Sequence, residues 1–351
     1  MTEFLSEYGM FLAKSVTLVV AVLFLVGGII ATAARNRHGQ DEGTLRVKHL
    51  NEEIRALKEG LTDEILPAAM RKKVLKQRKK EQKQKDKEQD KQAKAGEPEE
   101  RSRVFVLDFN GDIQASAVGN LRNEISAVLQ VASDKDEVVV RLESPGGLVH
   151  SYGLAASQLK RVRDREIPLT ICVDQVAASG GYMMACIGSR LMAAPFAVIG
   201  SIGVVAQIPN FHRLLKKNNV DVELMTAGEY KRTLTIFGEN TDKMREKFQE
   251  ELDDTHLLFK QFVRDNRASL DLDKVATGEH WFGLRALELG LVDELKTSDE
   301  YLVERSDQAE VFEVRWEEKR RLIDRLGLAA EGAITRSLNR VLQRAGSRWM
   351  H

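Results

Sequence analysis

Ser179 stands in "VAASGGYMMAC" among Ala177, Ala178, Gly180 and Gly181, between a strand-like run and an apolar helical run. A serine at a tight strand-to-helix turn has two uses. It can cap the helix by accepting from a first-turn N–H. It can also present Oγ as a nucleophile beside backbone donors and the positive end of the helix dipole, where developing negative charge is favoured. "SPGG" ends the preceding strand-like run, and Gly146 and Gly147 allow positive φ and close approach of backbone N–H groups to a ligand. Neither loop reads G-x-S-x-G, because Ala177 precedes the serine by two, so the α/β-hydrolase elbow is excluded.

A serine nucleophile needs a base. Of the seven histidines, His38 and His49 lie far upstream, His351 is the last residue and His256 sits in a charged helical run. His150, after the SPGG loop, and His212, between Phe211 and Arg213, occupy positions where surface or packing roles are the ordinary expectation, and His280 is the seventh. A lysine whose ammonium loses hydration can serve instead, since desolvation lowers its pKa towards working pH. Lys231, in "TAGEYKRT", follows a predicted strand 52 residues after Ser179. From the residues alone, a surface role for Lys231 and a cap role for Ser179 remain open.

The elements that must position these groups begin at Val104. "VFVLDF", "EVVVRLE" and "PLTICVDQ" read as buried strands, alternating with helical runs over 119–133 and 148–164. "VDVELMTA" adds a later predicted strand, and a charged helix follows Gly238 to about Arg267. Such alternation predicts an α/β core, with both loops at the C-terminal ends of successive strands, where α/β folds place their sites. "GLRALELGLVDEL" predicts a helix and a strand, with Leu291 and Val292 in the core and Asp293 in a turn.

Composition bounds the rest. The 351 residues are 43% hydrophobic with formal net charge +0, which points to a sizeable core and away from a wholesale nucleic-acid binder. Two cysteines, Cys172 and Cys186, make no disulfide framework and no Cys/His cluster, so a zinc site has no support, and no P-loop or HExxH suggests a nucleotide or another metal. Ser15–Ala34 is 20 residues without a charge, the length of a bilayer-spanning helix. It exceeds the signal-peptide apolar region of about 7–15 residues, so an uncleaved anchor is the better reading, with Ala31-Thr32-Ala33 as the competing cleavage site. Arg35, Arg37, Arg46 and Lys48 after the span outnumber Lys14 before it, which favours a cytoplasmic body. Residues 71–94 carry twelve Lys/Arg against four acids and predict a solvated helical spacer, with attraction to anionic lipid as the sharper alternative. Nothing there could stack on or read a base. The final segment carries Ile334, Leu338, Val341 and Leu342 on one helical face, for a neighbouring subunit or a membrane surface.

"SPGG", "DQVAASGGYMMAC", "APFAVIGSIGVV", "GEYKR" and "GLRALELGLVDEL", in this order, resemble the signal peptide peptidase A family of serine proteases, within the Clp protease/crotonase superfamily. The likeness covers about residues 100–300 by motif. It implies a repeated ββα-type α/β core, an anchor over 1–34, a charged, partly helical linker over 35–100, a protease domain over 101–300 and a tail over 301–351. It implies a Ser-Lys dyad of Ser179 as nucleophile and Lys231 as general base. Ser201 in "GSIGV" falls on a serine that orients the lysine. Gly146 and Gly147 fall on the oxyanion loop, with Gly180 assisting. Peptide or unfolded-protein substrates, no cofactor, an inner-membrane location and a homo-oligomer with the dyad shared between protomers are further implications. Relatives hold this domain outside the cytoplasm, against the charge argument. A Clp-type histidine is missing from "SIGVV". A crotonase-like acyl-CoA enzyme, with Glu143 or Asp174 in acid/base work, and an inert membrane scaffold of the same fold are the alternatives.

Overall fold

Near-continuous apolar runs become parallel strands buried on both faces. The computed structural model describes residues 10, 14, 17, 43–95 and 101–318. Apart from Thr17, the apolar run over Ser15–Ala34 lies outside these, as does the C-terminal amphipathic segment. Among the described residues no helix is long and apolar enough to cross a membrane. Leu45–Trp316 clusters as one compact unit.

The strands are β1 (Gly43–His49), β2 (Arg103–Asn110), β3 (Glu137–Glu143), β4 (Leu169–Val173), β5 (Val176–Ala178), β6 (Arg190–Ala193), β7 (Val198–Gly200), β8 (His280–Phe282), β9 (Glu294–Leu295) and β10 (Glu310–Glu318). Seven of them form one sheet in the order β1-β10-β2-β3-β4-β6-β9. The pairs from β10 through β9 are all parallel. A second sheet, β5-β7-β8, pairs β5 parallel and β8 antiparallel to β7. The chain therefore leaves the large sheet at the end of β4, and again after β6, to add a short strand to the small one. A parallel bridge between Ser144 and Ala177 brings the end of β3 alongside β5.

The helices are α1 (Leu50–Ile65), α2 (Ala68–Ala95), α3 (Val118–Val131), α4 (Val149–Arg163), α5 (Gly180–Ala185), α6 (His212–Lys217), α7 (Asp242–Asn266), α8 (Leu272–Val275), α9 (Gly283–Glu288) and α10 (Ser298–Gln308). Strand alternation divides the core. Phe105, Leu107 and Phe109 of β2 join Ile125, Leu159 and Tyr182 on one face. Val104 and Val106 join Met192, Tyr301 and Leu302 on the other. Burying one such side chain contributes about 1.5–3 kcal/mol, so the two clusters fix the strand ends that carry the loops.

The structure departs from the sequence reading in three places. The segment expected as a tail from 301 supplies most of α10 and all of β10 to the body, with β10 between β1 and β2 in the large sheet and Val311 and Val314 buried. The segment 35–100 is not spacer throughout: β1 extends the large sheet, and Asn51 ties α1 to the body. The Asn51 amide donates to Ser306 and Ala309 carbonyls at 2.8 and 2.9 Å, and its Oδ1 accepts from the Val311 N–H at 2.7 Å. The strand expected over "VDVELMTA" is absent. Residues 220–227 are irregular, and Val220, Val222, Leu224 and Met225 are exposed. Alternating apolar residues make a strand only where an edge pairs them and a face buries them, and this stretch meets neither among the described residues.

Candidate active site

Ser179 joins β5 to α5 with φ 54° and ψ −119°, a region that non-glycine residues rarely occupy. Three hydrogen bonds hold it there. Its N–H donates to the Gly200 carbonyl at 2.8 Å, the Met183 N–H donates to its carbonyl at 3.0 Å, and the preceding Ala178 N–H donates to the Ser144 carbonyl at 3.0 Å. Ser179 occupies the position of a helix cap, yet its side chain makes no capping hydrogen bond. The cap alternative therefore loses its physical basis, and strain of order 1–3 kcal/mol is held at a residue that does not cap.

The glycine loop packs directly against this turn. Gly146 has φ 89°, and a Cβ there would lie 2.8 Å from the Ser179 Cβ and 2.8 Å from the Gly180 nitrogen. A Cβ on Gly147 would fall 2.1 Å from the Ile113 carbonyl oxygen. The Gly146 N–H is engaged, donating to Ser144 Oγ at 3.1 Å. The N–H groups of Gly147 and Gly180 have no hydrogen-bond partner among the described residues, and both residues line the same cleft as Ser179.

That cleft is small, with room for about one water molecule, and Val149, Met183, Val204, Thr255 and Phe259 form its walls with Gly203. None of its lining residues carries a charge. Ser179 and the two glycine amides thus face one small space, the arrangement that acyl transfer needs around a reacting carbonyl.

Ser201 follows Gly200, the residue that accepts the Ser179 N–H, and it too has positive φ, 53°. Its N–H donates to the Glu279 carbonyl at 2.6 Å. Lys231 lies elsewhere. It is exposed in an irregular loop, its N–H donates to the Gly228 carbonyl at 3.2 Å, and it is not among the residues lining the cleft. The structure thus brings together Ser179, Gly146, Gly147 and Gly180, sets Ser201 next to their strand support, and does not bring Lys231 to the cleft of its own chain. Large apolar residues near that lysine in sequence stand in solvent: Met225 is 85% exposed, with Leu224, Tyr230 and Phe237 also exposed.

Competing nucleophiles and bases have structural duties. Cys172 and Cys186 are buried, and burial pushes both thiols up to about 12. The His256 ring bonds the Ile202 carbonyl at 3.2 Å, its Nε2 donating. The Asp174 carboxylate accepts from the Ser298 N–H at 2.8 Å and so anchors the start of α10. Among the described residues no three His, Cys, Asp or Glu side chains converge on a metal-sized site. Sequence reasoning missed Thr255 and Phe259, whose i,i+4 spacing on α7 puts them on one face, and the buried pair Ser144 and Tyr152 under the glycine loop.

Comparison with known proteins agrees over nearly the whole chain. The family model described as peptidase family S49 N-terminal matches residues 3–159, and that described as peptidase family S49 matches residues 161–312. "Probable protease SohB" of Haemophilus influenzae is 52% identical over 343 residues, covering 97% of each chain. "Probable protease SohB" of Buchnera aphidicola subsp. Schlechtendalia chinensis is 61% identical over 202 residues, covering 58% of this chain and 66% of that one.

Proposed function

The chain belongs to peptidase family S49 and is a peptidase, and we propose that it works as a serine endopeptidase with Ser179 as nucleophile and Lys231 as general base. The observation that carries the reading is the Ser179 turn: a strained, uncapped serine beside two unpartnered backbone N–H groups in an uncharged cleft. The passages β4-β5-α5 and β6-β7 fit the repeated ββα core of Clp/crotonase-like folds.

Neutral Lys231 takes the proton as Ser179 Oγ attacks the scissile carbonyl, and the oxyanion is held by the Gly147 and Gly180 N–H groups. Losing one such donor typically costs about 3–4 kcal/mol of transition-state stabilisation. Gly146, whose N–H is engaged by Ser144, shapes the loop rather than donating. The lysinium returns its proton to the leaving amine, leaving an acyl-enzyme. Water, deprotonated by the same lysine, then releases the acid and frees the serine. Ser201 orients the lysine.

Lys231 serves the Ser179 of a neighbouring protomer in a homo-oligomer. Support comes from its exposure, its absence from the lining of its own chain's cleft, and the exposed apolar residues near it in sequence. A neighbour seated on them would strip water from the ammonium, as a lysine base requires. The substrates are unfolded or membrane-derived peptides, such as remnant signal peptides, able to enter a narrow cleft as extended chains. Ser15–Ala34 holds the enzyme in the bacterial inner membrane. The test is hydrolysis of an unfolded protein by the detergent-solubilised full chain. Ser179→Ala and Lys231→Ala are each expected to be inert while still assembling; cleavage by either variant at the wild-type rate would overturn the dyad.

A further inference from the structure

Beneath the glycine loop lies a buried polar chain with a single direction. Ser144 and Tyr152 are fully buried. The Tyr152 hydroxyl donates to the Asp112 carbonyl at 2.7 Å, which uses its one proton. Ser144 Oγ and the Tyr152 hydroxyl are 2.5 Å apart, so Ser144 must be the donor between them. Ser144 Oγ in turn accepts from the Gly146 N–H at 3.1 Å. Every proton therefore points one way, from Gly146 through Ser144 and Tyr152 to Asp112, and no member can rotate without leaving a buried group unpaired.

The same two residues grip both sides of the site. The Ser144 N–H donates to the Val176 carbonyl at 2.8 Å, and its carbonyl accepts from Ala178, so its backbone fastens the glycine loop to the strand leading into Ser179. The Tyr152 ring lies under α5: a Cβ on Gly180 would come within 2.4 Å of Tyr152 Cγ. Gly111 leaves the space in which the two hydroxyls meet, since a Cβ there would be 2.5 Å from the Tyr152 hydroxyl and 2.6 Å from Ser144 Oγ.

We propose that Ser144 and Tyr152 are positioning residues that lock the Gly146 N–H downward, so that the next peptide presents the Gly147 N–H to the reacting carbonyl in register with that of Gly180. A peptide plane at positive φ beside two glycines has little intrinsic preference to keep its orientation. The Ser144 acceptor supplies one, and Tyr152 fixes the Ser144 rotamer while its ring sets the height of Gly180. Neither side chain touches substrate. The role rests on the serine peptidase reading above.

The test uses the full chain in detergent with a fluorogenic peptide, a peptide boronate as a mimic of the tetrahedral intermediate, and a peptide with an uncleavable bond. Ser144→Ala and Tyr152→Phe keep the packing and remove one hydroxyl each; Ser179→Ala is the inert control. We expect kcat to fall about tenfold or more in both variants, the range of one misplaced hydrogen bond. KM and binding of the uncleavable peptide should stay within about twofold, and boronate affinity should fall by the same factor as kcat/KM. The double variant should lose no more than the worse single one, because the two act as one chain. Faster exchange of the Gly146 amide in Ser144→Ala gives a readout independent of turnover. An unchanged kcat, a loss confined to KM, or unaltered Gly146 exchange would overturn the role while leaving the peptidase reading intact. A wild type as inert as Ser179→Ala would overturn the peptidase reading, and the positioning role with it.

Discussion

If the dyad closes between protomers, two dead variants should revive each other. Ser179→Ala keeps a working Lys231, and Lys231→Ala keeps a working Ser179. The exposed lysine and the cleft it does not line in its own chain set the arithmetic. In a ring of randomly mixed chains, with a fraction f of Lys231→Ala, a site is whole only where a Ser179-bearing chain meets a Lys231-bearing neighbour on its one productive side. The active fraction is f(1 − f), which peaks at about one quarter of the wild-type rate for an equal mixture. The assay co-expresses the two variants with different tags, purifies through both tags in turn, and follows a fluorogenic peptide against the composition measured by mass spectrometry. The rate should trace an inverted parabola in f, with KM unchanged. Mixed assemblies that are as dead as the parents, with both chains demonstrably in one particle, would refute the sharing and require the Lys231 loop to fold back onto its own cleft.

Three further outcomes are expected. Ser179→Gly should abolish hydrolysis yet raise thermal stability relative to Ser179→Ala, by up to about 1–3 kcal/mol, because glycine removes the penalty of φ 54°; calorimetry on both variants checks it. Gly147→Ala drives a methyl to 2.1 Å from the Ile113 carbonyl, so the loop must move, and kcat should drop about 10²- to 10³-fold through loss of one oxyanion donor. Glu124 is 5% exposed; its Oε1 accepts from the Trp316 N–H at 2.8 Å and its Oε2 has no partner. Burial pushes this carboxyl up from 4.5 to about 7, with Asp108 adding to the rise and Arg315 opposing it. A carboxyl with a raised folded-state pKa stabilises the fold fully below its unfolded value and loses that contribution as pH climbs through the folded one. Glu124→Gln should therefore match wild type in denaturant midpoint near pH 4 and exceed it above pH 7, by at most about 3 kcal/mol; equal midpoints at pH 8 would contradict this.

The strands were legible because burial on both faces writes itself as valine and leucine runs: "EVVVRLE" is β3 residue for residue, and "VFVLDF" lies within β2. The Ser179 turn was legible as a crowd of small residues, since only such residues fit where a Cβ on Gly146, Gly180 or Gly181 would collide with a neighbour. What sequence could not decide was cap against nucleophile, because the distinction lies in a backbone torsion and a missing hydrogen bond rather than in residue type. β1 was hidden because "GTLRVKH" offers only two alternating apolar residues, Leu45 and Val47, and both are exposed in the strand it forms. "VDVELMTA" misled because its alternation is real, but no strand edge or apolar face meets it among the described residues. Ser144 and Tyr152 carried no local signal, as their contact joins a strand end to a helix in the space that a Cβ on Gly111 would otherwise fill.

The most direct test of the central claim is covalent. The full-length enzyme is treated with a fluorophosphonate, and the adduct is located by peptide mass spectrometry. A single modified site at Ser179, formed in step with loss of peptide hydrolysis and abolished in Ser179→Ala, is the expected result. Complete inactivation with Ser179 unmodified, or an adduct that persists in Ser179→Ala, would contradict the assignment of this serine as the nucleophile.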